Sequence, residues 1–216
     1  MPETNANPSK IQNPKSKLTK GQLRRSLLAQ RQALPPEGWR QTSDRLCSHL
    51  QTHPLVTQAR TILAYFSIRQ EPDLSPLFAL PHRWGFPRCM DETLSWHCWS
   101  PQGSMVLEIN RYQIPEPPPD APQLHADEVD LILVPAVACD RQGYRLGYGG
   151  GFYDRLLSSP EWANKPTIGI VFDWAFLPQL PTDPWDRPLQ GICTDGGFYL
   201  PCPKDSMGQS LGANFK

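Results

Sequence analysis

Residues 141–151 of this 216-residue chain read RQGYRLGYGGG, which sets Gly143, Gly147, Gly149, Gly150 and Gly151 among Arg141 and Arg145. Glycines let a backbone take positive φ and approach a ligand closely, and the N–H groups they expose receive phosphate oxygens. Guanidinium forks suit the same oxygens. Asp154 follows at once. A carboxylate does not bind an anion directly, but beside a phosphate it can hold the Mg²⁺ that neutralises it. Glycines in such numbers also serve plain turns. The string lacks the Gly-Lys-Ser/Thr ending of a Walker A loop, and its spacing is not that of the dinucleotide fingerprint.

The elements around it must place these groups. Before the loop, Leu131, Ile132, Leu133, Val134 and Val137 form an apolar run suited to a strand buried on both faces of a mostly parallel sheet. After it, Tyr153, Leu156 and Leu157 open a helix. A helix is expected from about Leu18 with Thr19 as N-cap. Leu23, Leu27, Leu28 and Leu34 share its apolar face, while Lys20, Arg24, Arg25 and Arg31 take the remainder. On spacing alone those cations read as a solvated basic face, with Lys20 and Arg24 projecting from the same side. A second helix is expected from Pro36 to Leu50, with Trp39, Leu46 and Leu50 inward. Strands are expected over 61–68, 84–90, 95–100 and 165–174, and a last one through Leu189, Ile192 and Cys193. A short helix should start near Asp73. Glu71 falls just past a strand's carboxyl end, where α/β sheets bind ligands, though a lone glutamate there also reads as a cap or surface charge. Tyr112, Phe172 and Trp174 read by themselves as packing residues. His97 beside Cys98 lacks a second pair at ligand spacing and reads as a packed or exposed histidine. Residues 111–123 form a proline-stiffened connector.

Composition narrows the classes. Lys+Arg and Asp+Glu balance at 21 each, so nothing in the net charge suggests a nucleic-acid or membrane partner. The 25 prolines stiffen loops and end helices. Six cysteines without paired spacing suggest reduced thiols in a cytoplasmic protein, with no disulfide frame and no zinc site. No stretch is long and apolar enough to span a bilayer, and the N-terminus lacks a signal-peptide core. One domain is expected over 18–200, between a disordered extension (1–17) and a flexible tail (201–216).

The string VPAVACDRQGYRLGYGGGFYDRLL closely resembles the signature of the 5-formyltetrahydrofolate cyclo-ligase family, V-P-G-[LVA]-A-F-D-x-x-G-x-R-L-G-x-G-x-G-Y-Y-D. Ala136 replaces a glycine, Cys139 an aromatic residue and Phe152 a tyrosine. The likeness extends over about 18–196. Lys20, Leu23 and Arg24 match K-x-x-L-R, and Glu71 matches a glutamate followed more usually by Ile than by Pro72. Ile114, Glu116 and Pro117 match G-I-x-E-P, and Asp195 stands for a usual glutamate. The resemblance implies a three-layer α/β/α fold with a mostly parallel central sheet, related to sugar-phosphate isomerases and CoA transferases. It implies a monomer that uses ATP and Mg²⁺ to close a reduced folate, its polyglutamylation left open, by phosphorylating the formyl oxygen before N10 attacks. It places Lys20, Arg24 and Arg145, with Gly147, Tyr148, Gly149, Gly150, Gly151 and Tyr153, on the nucleotide. Glu71, Tyr112 and Tyr153 go to the folate. Arg145 and Asp154 act in catalysis, and Asp154 with Asp186 (Asp183 a close competitor) holds the metal. A sugar-phosphate isomerase on the same fold and a non-catalytic folate- or nucleotide-binding protein are the rival readings.

Overall fold

Leu131 and Leu133 point to one side of a strand, Ile132 and Val134 to the other, and both sides are buried. A strand of that kind must lie inside a sheet covered on both faces. The computed structural model describes residues 18–202. The extension expected over 1–17 and the tail from 203 lie outside the described residues. In chain order the elements are α1 (Lys20–Gln32), α2 (Pro36–Thr52), α3 (Pro54–Thr57), β1 (Thr61–Leu63), β2 (Arg83–Met90), β3 (Thr93–Cys98), β4 (Glu108–Ile109), β5 (Pro115–Glu116), β6 (Gln123–Leu124), β7 (Leu131–Pro135), β8 (Ala138–Asp140), β9 (Arg145–Leu146), α4 (Phe152–Ser158), β10 (Thr167–Ile170), β11 (Phe176–Leu177), β12 (Gly191–Thr194) and β13 (Gly197–Tyr199).

The main sheet has the order β13-β12-β10-β7-β1-β2-β3-β6. Its five inner strands, β12 to β2, run parallel, and the outer pairings are antiparallel. Leu46, Cys47 and Leu50 of α2 cover one face together with Val56 of α3. Leu27 of α1 and Leu156 and Leu157 of α4 cover the other. The architecture is therefore α/β/α with a mostly parallel centre.

A smaller sheet, β11-β8-β9, sets up the glycine loop. β8 pairs antiparallel with β9, with Cys139 opposite Arg145. Asp140 pins the turn between them: its Oδ1 accepts from the N–H groups of Gln142 (2.9 Å) and Tyr144 (3.0 Å), and its Oδ2 from Leu180 (2.8 Å). Gly143 has φ +87°, and a Cβ there would lie 2.5 Å from the Leu189 carbonyl oxygen, so only glycine fits.

Several elements differ from expectation. Thr19 caps α1 in a reciprocal capping box with Gln22, but the helix starts at Lys20. The strand expected over 61–68 ends at Leu63. Arg69 and Gln70 have positive φ (48° and 57°), and the chain turns there rather than extending. The strand expected over 165–174 covers only β10, because a 3₁₀ turn occupies Asp173–Ala175. The helix expected near Asp73 is a 3₁₀ turn, Ser75–Ala79, whose start is held by the Asp73 carboxylate on the Ser75 N–H (3.0 Å). His97 is a packed residue, bonded through Nδ1 to the Ala121 carbonyl (2.8 Å) and through Nε2 to the Ser95 hydroxyl (3.1 Å).

Candidate functional site

The loop leaving β9 runs through Gly147 to Gly151 and enters α4 with Gly151 at the N-cap position. Gly149 (φ +102°) and Gly151 (φ +70°) are left-handed, which an L side chain resists. Gly149 and Gly150 are exposed, so their backbone is open to a ligand. Arg24 ties α1 to this loop: its Nε donates to the Gly147 carbonyl at 2.7 Å, and its guanidinium carbon would lie 3.6 Å from a Cβ at Gly149. Arg145, almost wholly buried, donates to the Arg187 carbonyl at 2.9 Å and to Asp154 Oδ1 at 2.5 Å. Asp154 keeps 37% of its side chain exposed. Lys20 Nζ donates to Asp183 at 2.7 Å and to Asp186 at 2.5 Å, and Asp186 also accepts the Asp183 N–H at 2.7 Å. Burial alone would lower the Lys20 pKa. The hydrogen bonds and charges of Asp183 and Asp186 outweigh it and raise the pKa, so the group is an ammonium ion. Lys20 and Arg24 are thus partly buried and engaged, not the solvated face that helical spacing alone suggests.

Glu71 is not a surface charge either. It is 2% exposed, and its carboxylate accepts the Ile68 N–H at 3.1 Å. Burial pushes its pKa up to about 7, against the opposing pull of the Arg31 charge, the Ile68 N–H and the Tyr148 hydroxyl. Arg31, also 2% exposed, donates to the Tyr148 hydroxyl, to the Arg69 carbonyl (3.1 Å) and to the Ala136 carbonyl (3.4 Å). The sequence assigns Arg31 to the basic face, yet it stands four residues after buried Leu27, one turn along the apolar stripe, and that spacing was the signal available. Burial and the Glu71 charge push the phenols of Tyr148 and Tyr153 well above their ordinary value. The buried Tyr153 hydroxyl has no hydrogen-bond partner among the described residues. A buried polar atom without a partner is costly, and a ligand atom beside it would satisfy it.

Tyr112 sits at the tip of the β4–β5 turn. The residue is 46% exposed, and its ring meets Phe152 edge-on, with centroids 6.4 Å apart. Arg88 holds this turn to the sheet through Glu116 (3.1 Å) and Glu108 (3.3 Å). Of the residues expected at the site, Arg24 meets Gly147 and Gly149, Arg145 meets Asp154, and Glu71 interacts with Tyr148 and Tyr153. Asp154 and Asp186 face different cations. Among the described residues no cluster of three or more His, Cys, Asp or Glu could by itself hold a metal ion.

A mostly parallel α/β sheet carries an exposed glycine loop bonded by Arg24, with the Arg145–Asp154 pair at the start of the helix that follows, an α/β arrangement whose free N–H groups and guanidinium forks suit an anion. The chain belongs to the 5-formyltetrahydrofolate cyclo-ligase family, whose model matches residues 16–195. It is 32% identical over 175 residues to the 5-formyltetrahydrofolate cyclo-ligase of Escherichia coli, covering 76% of this chain and 93% of that protein. It is 34% identical over 186 residues to the enzyme of that name from Mycolicibacterium smegmatis, covering 82% and 93%. The NMR structure of Aquifex aeolicus 5,10-methenyltetrahydrofolate synthetase superposes with a TM-score of 0.74 at 30% identity, covering 90% of this chain and 96% of that one.

Proposed function

We propose that this protein closes 5-formyltetrahydrofolate to 5,10-methenyltetrahydrofolate, with ATP converted to ADP and phosphate. The observation that carries the reading is an exposed glycine loop bonded by Arg24 and followed by the Arg145–Asp154 pair, in a chain whose buried Tyr153 hydroxyl is left without a partner among the described residues. The N-formyl carbon is a poor electrophile and its oxygen a poor leaving group. Moving the γ-phosphoryl group onto that oxygen, with ADP as the leaving group, answers both difficulties: N10 then attacks the carbon and gives up its proton, the C–O bond breaks and phosphate leaves with the bonding pair. The protein's work is to neutralise charge and to align the formyl oxygen with the phosphorus. The N–H groups of the glycine loop and the three cations hold the triphosphate. Glu71 and Tyr153 orient the folate head from the buried side, and Tyr112 offers it an exposed ring at the rim.

The donor set also fits a magnesium ion that arrives with the triphosphate. Mg²⁺ is commonly held by one or two carboxylates together with substrate phosphates, and Asp154 and Asp186 are such carboxylates. A bound Mg²⁺ would neutralise phosphate charge. Two of the three cations already face carboxylates, Lys20 with Asp183 and Asp186 and Arg145 with Asp154, while Arg24 is bonded to the Gly147 carbonyl. With the metal and nucleotide bound, Lys20 and Arg145 would turn from these carboxylates to phosphate oxygens, leaving Asp154 and Asp186 to hold the metal.

The test is phosphate release from ATP with 5-formyltetrahydrofolate, compared with a panel of sugar phosphates. Release that depends on the folate supports the reading. Conversion of a sugar phosphate without ATP would replace it with the isomerase alternative.

A further inference from the structure

Trp185 is 63% exposed, although hiding an indole from water is among the larger apolar gains open to a folded chain. Its position is nonetheless fixed. Pro184 stiffens the backbone before it, Asp183 and Asp186 on either side are bonded to Lys20, and the next carbonyl, that of Arg187, accepts from Arg145. The two cations assigned above to phosphate thus set the place of this ring. Trp185 walls a cavity of about 300 Å³ whose other sides are Gly151, Asp154, Arg155 and Ser158. Arg155 is a fixed wall: its guanidinium donates to the Glu92 carbonyl (2.6 Å) and the Gly150 carbonyl (2.8 Å) and lies over the Phe152 ring. The cavity opens where the glycine loop ends, and its volume suits a small flat ligand.

Two large exposed aromatic side chains flank the first turn of α4, Tyr112 against Phe152 on one side and Trp185 at the Asp154 cavity on the other. The proposed reaction brings two ring-bearing substrates. Tyr112 serves the folate in the reading above, which leaves Trp185 for the second ring. We propose that Trp185 and the cavity it walls receive the purine base of the nucleotide, stacked on the indole face. This rests on the nucleotide reading of the glycine loop. Stacking reads the face of a ring and not its edge, so it tolerates different purines. Apart from the indole N–H of Trp185 itself, the polar lining side chains are Ser158, Asp154 and Arg155; Asp154 is paired with Arg145 and assigned above to the metal, and Arg155 is held by backbone carbonyls, which leaves a Ser158 hydroxyl able to donate or accept and so to meet either purine edge. Adenine and guanine nucleotides should therefore bind within about tenfold of each other.

The experiment measures binding of ADP, GDP and inorganic tripolyphosphate, in magnesium buffer, to the wild-type protein, Trp185→Ala and Trp185→Phe. The expected result is ADP and GDP binding weakened about tenfold or more in Trp185→Ala, largely restored in Trp185→Phe, with tripolyphosphate binding unchanged in both. Unaltered ADP binding in Trp185→Ala would overturn the proposal. Equal losses for ADP and tripolyphosphate would overturn it too, since Trp185 would then only shape the phosphate loop. A wild-type protein that binds neither ADP nor tripolyphosphate would instead overturn the nucleotide reading beneath it.

Discussion

Lys20 and Asp186 are 166 residues apart in the chain, and their charged atoms lie 2.5 Å apart where α1 meets the loop before β12. One cation at the first position of a helix thus sets the loop that carries Asp183, Trp185 and Asp186. Lys20→Met should lower kcat/KM for ATP by about a hundredfold, the scale of one lost charge-stabilising group, with little change in KM for the folate. In a double-mutant cycle, Asp186→Asn should add less to Lys20→Met than it costs alone, because the two groups act together. Steady-state kinetics on the four proteins checks both.

Asp154 is a cleaner probe of the chemistry than Arg145. Asp154→Asn keeps shape, volume and an oxygen that can accept from Arg145, so the variant should fold, with a melting temperature lowered by the loss of the charge that faces the buried guanidinium. It should still lower kcat by about a hundredfold or more if the carboxylate serves the metal–triphosphate. The check is turnover measured beside a melting curve. Near-normal turnover in a folded variant would contradict the assignment.

Glu71 gives a pH dependence with a defined sign. Its ordinary pKa is 4.5 and burial raises it to about 7 in the folded protein, where it faces Arg31, Arg69, Tyr65, Tyr148 and Tyr153. Between those values the folded state binds more protons than the unfolded one, so the Glu71 contribution to stability falls as pH rises from about 4.5 to about 7. The full change is roughly 3 kcal/mol. Glu71→Gln has no such proton to lose. Denaturation at a series of pH values should show the variant gaining on the wild type across that window and no further above it.

Arg31→Met removes a buried guanidinium from the Tyr148 hydroxyl and two carbonyls. It also leaves Glu71 without its strongest favourable charge. Urea denaturation should show a loss of about 3 kcal/mol or more. Arg31→Lys should recover little, because an ammonium cannot fork to three acceptors in one plane.

The amount legible in the sequence follows from the range of the interactions. β7, the glycine loop and the start of α4 are local: a continuous apolar run, glycines where φ turns positive, and leucines one turn into the helix. The Thr19 cap and the extent of α2 are local too. The partners of Lys20 lie across the whole chain, and no helical spacing reports them. Glu71 looked like a surface charge because the left-handed turn at Arg69 and Gln70, which carries it inward, has no glycine to announce it. β13 was missed because Gly197–Tyr199 is short and becomes a strand only by pairing with β12. The family signature supplied the site expectations for Lys20, Arg24 and Glu71 that the physical reading alone left open.

The most direct measurement mixes the protein with 5-formyltetrahydrofolate and Mg-ATP and follows the methenyl chromophore and ADP together. The account predicts that both appear, one ADP for each methenyl product, and that omitting ATP abolishes the chromophore. A folded preparation that binds both substrates and forms no methenyl product, or forms it without ATP, would contradict it.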